Sequence, residues 1–441
     1  MTGPTLTDGR GRVIAPGGDS RESTREDDQR PAGDGGRGMA RRIAGDGGRS
    51  PEGSAADADR TRGTPGDDDR YDAIVLGVGG MGSAAVYHLT RRGLDVLGIE
   101  RFDVPHDRGS SHGYTRIFRL LQHERPAYVP LARRARELWR DLEAECGEAL
   151  LHTTGSVTAG PAGADPVASA LDVCEAHGLD HEHLTGAEMN DRHPGYALPP
   201  DHGVVYQPDG GFLAAERSIV AHARRATARG ATIRARERVR EWTPTAGGVR
   251  VETDAGTYAA DDLVVAAGAW TPKLVDALGD HLSPQRRIMA WFQPHEPDRF
   301  APDAFPVFSL VADGEYFYGF PVYEVPGFKL GWIPDGPKPT DPDDRQGDPT
   351  PEEERVHRRF AERYFPEGAG PTSMLRACMT THSPDGDFVL DTHPDHPQVT
   401  VAAGFSGNGF KFCSVVGEVV ADLVVDGATD HDVGMCGFDR L

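Results

Sequence analysis

Three glycines in G-x-G-x-x-G spacing carry the clearest chemical signal in the sequence. Gly77, Gly79 and Gly82 follow an apolar run and precede a helix-compatible segment, and Glu100 ends the next apolar run. The first glycine permits a tight turn, the second lets backbone approach a pyrophosphate, and the third lets the helix pack on the strand. Glu100 is placed to bind a ribose hydroxyl. The stretch predicts a dinucleotide site, with FAD and NAD both open at this point.

Lysine is rare in this chain, which uses arginine for almost all of its positive charge. The lysines are Lys273, Lys329, Lys338 and Lys411. Lys329 lies in an apolar run and Lys411 in a glycine-rich turn, and a buried ammonium must be paired or discharged. Lys329 is therefore either an active-site cation or a structural residue, such as one that snorkels from an edge strand.

The segment 103–119 gathers further candidate cations, His112, Arg116 and Arg119. It is too polar and glycine-rich to predict a core element. If Thr115 began a helical turn, the two arginines would share a face. The segment is either a solvated basic loop or a loop laid across a cofactor, with its arginines directed at an anionic ring or a carboxylate.

Two later apolar runs predict buried strands that end in glycine, which permits close approach of backbone to a ligand. The run 263–267 follows a predicted β-meander (232–236, 249–253 and 257–259), and 399–403 leads into a glycine-rich turn before a helix. An NAD dehydrogenase does not need such additional elements, so they favour FAD. The glycines concerned are Gly268, Gly404, Gly407 and Gly409.

Composition excludes several classes of partner. The 441 residues carry a net charge of −22, little of it from residues 1–70, and an acidic body argues against nucleic acid. No apolar run approaches the roughly 18 residues of a membrane span. Five scattered cysteines without C-x-x-C pairs indicate a reduced, cytoplasmic protein without a disulfide framework or zinc site, and we expect no metal. Residues 1–70 are expected to be a disordered extension or sequence upstream of the true start.

Several motifs together resemble the monomeric sarcosine oxidase and N-methyltryptophan oxidase family of flavin-dependent amine oxidases, within the D-amino acid oxidase superfamily. They are GVGGMG, GSSHGYTRIFR, YFYGFP with GFKLG, the ACM segment, and AAGFSGNGFKF. The resemblance covers Tyr71 to Asp439. It implies a mixed α/β fold in which a Rossmann-like, glutathione-reductase-type FAD-binding domain (71–150, 216–283 and 386–441) is interleaved with a mixed-sheet substrate domain (151–215 and 284–385).

The resemblance also implies a covalent cofactor. The family joins a cysteine to the 8α carbon of FAD, and the matching residue is Cys378, which is otherwise a plain buried thiol. His112 and Arg116 match residues that supply positive charge beside the ring. The cofactor-binding residues expected on this basis are Gly77, Gly79, Gly82, Glu100, Arg101, Ser110, Thr115, Arg116, Gly268, Cys378, Gly404, Gly407, Gly409 and Lys411.

The implied reaction is oxidation of the C–N bond of a secondary amino acid to an imine, with electrons passing to O₂ to give hydrogen peroxide. Arg119 and Lys411 match the pair that binds the substrate carboxylate. Lys329 matches the lysine that supports oxygen reduction through water, and Tyr318 matches a tyrosine of the substrate site. A monomer acting on a small secondary amino acid and O₂ is expected.

Three positions depart from the family pattern. Ile333 and Asn408 stand where the sarcosine enzymes have histidine, and Thr380 where they have tyrosine. Smaller or more apolar side chains in the wall of the substrate pocket could admit a bulkier amine, so the identity of the substrate stays open. The sequence also leaves open which side of the C–N bond is oxidised. The alternatives are a flavin dehydrogenase of pipecolate or proline type that passes electrons to a carrier, and a catalytically idle flavin-bound sensor or scaffold.

Overall fold

A computed structural model describes residues 70–334, 336, 338–344 and 347–441. The expected extension, residues 1–70, lies outside the described residues apart from Arg70. The strands, in chain order, are β1 Arg70–Leu76, β2 Val96–Ile99, β3 Thr115–Phe118, β4 Leu151–Thr153, β5 Ser156–Gly160, β6 Glu182–Thr185, β7 Gly203–Gln207, β8 Gly211–Ala214, β9 Thr232–Arg234, β10 Val239–Thr245, β11 Gly248–Thr253, β12 Thr257–Val265, β13 Ser283–Phe292, β14 Val307–Ala312, β15 Glu315–Phe320, β16 Phe328–Ile333, β17 Thr372–His382, β18 Val389–His393 and β19 His396–Ala403.

The α-helices mostly cover the sheets. The longest of them show one apolar stripe, as expected of helices that pack on a sheet or on one another. Short 3₁₀ turns at Gly268–Lys273 and Phe410–Phe412 follow two of the strands that approach the site. The helices are α1 Gly80–Arg91, α2 Val129–Cys146, α3 Asp165–His177, α4 Gly186–Arg192, α5 Ala215–Thr227, α6 Pro351–Tyr364 and α7 Cys413–Asp426.

The first sheet is built around β1, which pairs in parallel with β2 on one side and β12 on the other. The parallel set continues to β9 and β19, while β10 and β11 add an antiparallel extension and β18 pairs with β19. The segment 73–76 is at most 1% exposed, since helices and loops cover both faces of the strand. α1 packs against α5 and α7 beside this sheet.

The predicted β-meander is partly wrong. β9 pairs in parallel with β2 at the opposite edge of the sheet and is not part of the meander. The meander is instead β10, β11 and β12, whose first strand the sequence interpretation left out. A short apolar run does not reveal its pairing partner, which is set by the crossover through α5.

The second sheet runs in the order β17-β13-β16-β15-β14-β5-β7-β6. It is antiparallel except where β14 meets β5. Alternate side chains enter an aromatic core that includes Phe308, Phe328 and Phe365. Side chains in the other phase of β13 and β15–β17 face a cavity, because successive residues of a strand point to opposite faces. The mixed α/β fold class is therefore confirmed, while the division into domains stays a prediction.

The prediction for segment 103–119 needs correction. Thr115 begins a strand, β3, which pairs with β8 in a small sheet with β4, and no helical turn forms there. His112, Thr115, Phe118 and Arg119 are buried, so residues 112–119 are not a solvated loop, whereas Asp103, Asp107 and Arg108 in the loop before them are exposed. The described residues contain no helix long and apolar enough to cross a membrane.

Candidate active site

A long cavity connects the loops at one end of the first sheet with the open face of the second. Most of the residues predicted for the site line it, although they come from distant parts of the chain. Gly82, His112, Thr115 and Lys329 do not line it but lie behind its wall. Those that line it are Gly77, Gly79, Glu100, Arg101, Ser110, Arg116, Arg119, Gly268, Tyr318, Ile333, Cys378, Thr380, Gly404, Gly407, Asn408, Gly409 and Lys411.

The glycine turn has the geometry that its spacing predicts. Gly77 has a φ of +88°, which favours glycine. A Cβ on Gly82 would lie 1.7 Å from the carbonyl oxygen of Gly77, so only glycine lets α1 pack this closely. No atom lies within 4 Å of the position of a Cβ on Gly79, which faces open space. No side chain caps the start of α1, and its free N–H groups suit a phosphate.

Glu100 is nearly buried and holds this turn together. One carboxylate oxygen accepts a hydrogen bond from the N–H of Val78 (2.9 Å), and the other accepts one from the N–H of Phe102 (2.9 Å). Burial alone would raise its pKa, but His106 and these N–H groups keep it below the ordinary value. A charged carboxylate at this place suits a ribose hydroxyl and repels a 2′-phosphate.

A group of charged and aromatic residues lies at the same end of the cavity, and the sequence interpretation named only Arg101 among them as a site residue. The guanidinium of Arg101 lies over the rings of Phe102 and Trp270, at 5.2 and 5.5 Å from their centroids. Asp343 accepts hydrogen bonds from Arg101, from Nε1 of Trp270 and from Nζ of Lys273. These contacts tie the segment after β16 to the nucleotide end of the cavity, a long-range pairing that no local pattern reveals.

Cys378 lies on β17 in the cavity wall, beside Arg116. Nη2 of Arg116 is 3.8 Å from Sγ of Cys378 and also donates to the carbonyl of Ser110, while Nη1 donates to the carbonyl of Thr115 (2.8 Å). The guanidinium is therefore fixed next to the sulfur.

Lys329 is 2% exposed and lies on β16, an inner strand, so it does not snorkel from a sheet edge. Its Nζ donates to the carbonyls of Gly113 (2.8 Å) and Thr115 (2.9 Å) and to Oγ1 of Thr115 (3.1 Å). It also lies 4.4 Å from the ring centroid of Phe320. Burial, helped by the charge of Arg116, lowers the pKa of Lys329 well below its usual range.

His112 differs from the cationic role that the resemblance implied. Burial, together with the charges of Arg116 and Lys329, lowers its pKa to about 3. Its Nε2 has no hydrogen-bond partner in the part of the chain that is described. The ring is therefore neutral near pH 7, and Arg116 rather than His112 places a positive charge beside Cys378.

Arg119 and Lys411 lie together at the other end of the cavity. Both oxygens of Glu124 accept hydrogen bonds from Nη2 of Arg119, each at 2.7 Å. Nζ of Lys411 donates to the carbonyl of Asn408 (2.8 Å). Burial, with help from Arg119, lowers the pKa of Lys411 to about 7. Two buried cations that share one accessible acid, Glu124, form a suitable binding site for a carboxylate. The sequence interpretation did not predict Glu124.

The remaining wall is formed by the second sheet. Tyr318 lies across Gly331 on the neighbouring strand, and burial raises its pKa to about 12. Ile333 is 38% exposed at the cavity edge, which is unusual for a large apolar side chain. Oγ1 of Thr380 lies 2.9 Å from Nε2 of His382. Which residues of these strands face the cavity could have been predicted from the sequence, because alternate residues in YFYGF and CMTTH point to the same face of the sheet.

Comparison with known proteins agrees with this geometry. The family model "FAD dependent oxidoreductase" matches residues 72–423. Monomeric sarcosine oxidase from Bacillus sp. (strain B-0618) is 39% identical over 375 residues, which are 84% of this chain and 96% of that protein. N-methyl-L-tryptophan oxidase from Yersinia pestis (strain Pestoides F) is 33% identical over 383 residues, 84% of this chain and 99% of that protein.

Solved structures share the fold. The Tyr258Phe mutant of NikD, an unusual amino acid oxidase essential for nikkomycin biosynthesis, matches with a TM-score of 0.74 and 27% identity, covering 84% of this chain and 97% of NikD. L-proline dehydrogenase from P. horikoshii matches with a TM-score of 0.74 at 21% identity, covering 84% of this chain and 98% of that one, which shows a common fold alone. The family match and these relatives establish that the chain belongs to the FAD-dependent oxidoreductases.

Proposed function

We propose that this protein is an FAD-dependent oxidase of N-methyl amino acids, which yields an imine, and after hydrolysis an aldehyde and amine, together with hydrogen peroxide. The observation that carries the proposal is that Cys378 with Arg116, and Arg119 with Lys411, line one cavity together with the glycine turn. The sarcosine and N-methyltryptophan oxidases among its relatives support this substrate class.

The substrate carboxylate would bind to Arg119 and Lys411. Glu124 would compete with the substrate for this guanidinium, because both of its oxygens accept from Nη2 of Arg119. Exchange of one carboxylate for another keeps the buried guanidinium paired throughout. Holding the carboxylate at a fixed place directs the amine and its carbon atoms into the cavity, which lowers the entropic part of the barrier.

The FAD would lie along the cavity between the glycine turn and Cys378. When bound, it accepts a hydride equivalent from the C–N unit and returns two electrons to O₂. Glu100 and the N–H groups at the start of α1 suit its ribose and pyrophosphate. Cys378 is the residue that would hold it through a thioether, with the guanidinium of Arg116 fixed 3.8 Å from its sulfur.

Lys329 would support oxygen reduction with its positive charge, which the three oxygen acceptors around Nζ favour against the cost of burial. The ammonium is fixed by Gly113 and Thr115, directly behind the segment that carries Arg116. A preoriented charge at such a place stabilises a developing anion without reorganisation. The name monomeric sarcosine oxidase for the relatives supports a monomer, and the five free cysteines support a cytoplasmic location.

The central experiment is anaerobic mixing of the purified protein with sarcosine, N-methyltryptophan, pipecolate, proline and glycated amino acids. We expect at least one N-methyl amino acid to bleach the flavin absorbance, and admission of air to restore it with one equivalent of peroxide. Bleaching without peroxide would instead identify a dehydrogenase that uses a carrier. No bleaching by any amine of the panel would contradict the proposal.

A further inference from the structure

Arg287 is a buried arginine in the cavity wall without an acidic partner among the residues that the structure describes. It is 7% exposed and lines the cavity from β13. Its Nη2 donates to Oε1 of Gln285 (2.7 Å) and lies 3.2 Å from Nε2 of His382, and its Nη1 donates to the carbonyl of Arg286 (3.0 Å). None of these acceptors carries a negative charge. A buried cation without a counter-charge is destabilised, and burial accordingly lowers the pKa of Arg287.

The neighbours of Arg287 are polar but not acidic. Burial, with the charge of Arg287, lowers the pKa of His382 to about 4, so the ring is neutral at pH 7. Its Nε2 accepts the hydrogen bond from Arg287, because a guanidinium can only donate. Thr380 supplies a hydroxyl 2.9 Å from the same nitrogen, and Cys378 lies directly opposite Arg287 in the strand register. The group therefore presents one uncompensated positive charge to the cavity.

This charge is separate from the proposed carboxylate site. Nη1 of Arg119 lies 3.5 Å from Oγ of Ser309 on β14, whereas Arg287 lies on β13, and β16 and β15 intervene. Three strand spacings amount to roughly 14 Å between the backbones of β13 and β14. One ligand with two acids could thus contact both arginines, and N-methylglycine, with a single carboxylate, could not.

We infer that Arg287 forms a second anion-binding subsite, and that the substrate is a secondary amino acid whose side chain carries its own acidic group. The inference rests on the proposed function and narrows its substrate class. Arg119 and Lys411 take the α-carboxylate, and Arg287 takes the distal acid with a hydroxyl from Thr380 nearby. Ile333, exposed at the cavity edge, offers an apolar contact for the methylene groups between the two acids.

The test compares N-methyl-L-glutamate with N-methyl-L-glutamine, which have nearly the same shape and differ in the distal charge. In the wild-type holoenzyme we expect kcat/KM to be at least about 30-fold higher for the acid. Arg287→Gln should abolish this preference by lowering kcat/KM for the acid alone, and Arg287→Lys should restore part of it. Arg286→Gln is the matched control, since Arg286 is the adjacent arginine and pairs with Glu353 instead.

A binding measurement tests the subsite independently of turnover. Glutarate and butyrate are titrated into the oxidised holoenzyme, and the perturbation of flavin absorbance gives each Kd. We expect glutarate to bind at least about 10-fold more tightly than butyrate in wild type and in Arg286→Gln, and equally in Arg287→Gln. Equal binding in wild type, or a selectivity that survives Arg287→Gln, overturns the subsite. If amines of the panel bleach the flavin but the acid is not preferred, only this inference fails, whereas the absence of bleaching defeats the proposed function.

Discussion

Both carboxylate oxygens of Glu124 accept hydrogen bonds from Nη2 of Arg119 at 2.7 Å, inside the cavity where a substrate carboxylate is proposed to bind. The pair holds a nearly buried guanidinium against an acid whose side chain is 36% exposed. Because the guanidinium is buried, water screens its charge only weakly and it attracts anions strongly. Glu124 supplies the counter-charge when no ligand is bound. Glu124 therefore acts as an internal competitor of the ligand.

Glu124→Gln should tighten carboxylate binding. The amide keeps the size of the side chain but removes the competing charge, so we expect the Kd of acetate to fall about 10-fold. The free energy of unfolding should fall by about 1–3 kcal/mol, since the arginine loses its counter-charge and the pair is only partly exposed. Glu137→Gln is the control, because its exposed ion pair with Arg134 should matter little. Unchanged or weaker acetate binding in Glu124→Gln would refute the competition.

Cys378→Ser should convert bound flavin from acid-stable to acid-extractable. Serine removes the only atom that could form the thioether while preserving the side-chain volume approximately. We expect essentially all wild-type flavin in the acid precipitate, and essentially all variant flavin in the supernatant. Cys146→Ser, at a partly exposed cysteine on α2, should behave as wild type. Wild-type flavin that is fully extractable would contradict the covalent link.

Lys329→Met should separate the two half-reactions. Without the fixed charge, we expect reoxidation by O₂ to slow by at least about 100-fold, which corresponds to about 3 kcal/mol of electrostatic stabilisation. Anaerobic flavin reduction should change much less. Stopped-flow measurement of each half-reaction checks this. Because Gly113 and Thr115 lose their donor, some stability is lost as well, but equal slowing of both half-reactions would show that Lys329 is only structural.

Carboxylate binding should depend on pH through Lys411. Its pKa is about 7, below the ordinary value, mainly through burial. The ammonium therefore binds an anion best below pH 7, and affinity should fall above it by up to about 10-fold per pH unit. Glu124 and His123, with pKa values of about 2 and 4, titrate below this window. Lys411→Arg should flatten the profile of acetate Kd against pH, and an unchanged slope would assign the titration elsewhere.

Acid should destabilise the fold through two buried histidines, one on α1 and one on α5. Burial lowers the pKa of both His88 and His222 to about 3. Between pH 6.5 and 3 the unfolded chain binds protons that the folded protein excludes, so stability is complete above this window and falls as pH falls. Each histidine contributes up to about 1.4 kcal/mol per pH unit. Urea unfolding at pH 7, 6 and 5 should show a shallower loss for His222→Phe, and an identical slope would refute this assignment.

The sequence alone determined the local chemistry of the nucleotide turn. The spacing of Gly77 and Gly82 and the position of Glu100 are local properties, since a tight turn, a close helix–strand contact and a strand-end acid depend on neighbours in the chain. The structure bears out the turn and the close packing. The mixed α/β fold class was expected from the resemblance of several motifs to a known family, and the structure confirms it.

Tertiary structure alone decided which of the candidate side chains meet. Strand pairing put Cys378 opposite Arg287, and the small sheet containing β3 buried Arg119 against Glu124. The tertiary structure also placed Lys329 behind the cavity wall, where its Nζ donates hydrogen bonds to the carbonyls of Gly113 and Thr115. Lys329 and Gly113 are 216 residues apart in the chain, and the strand register that sets Cys378 opposite Arg287 likewise joins distant segments. No local pattern encodes them, so the sequence could name the charged residues but not their partners.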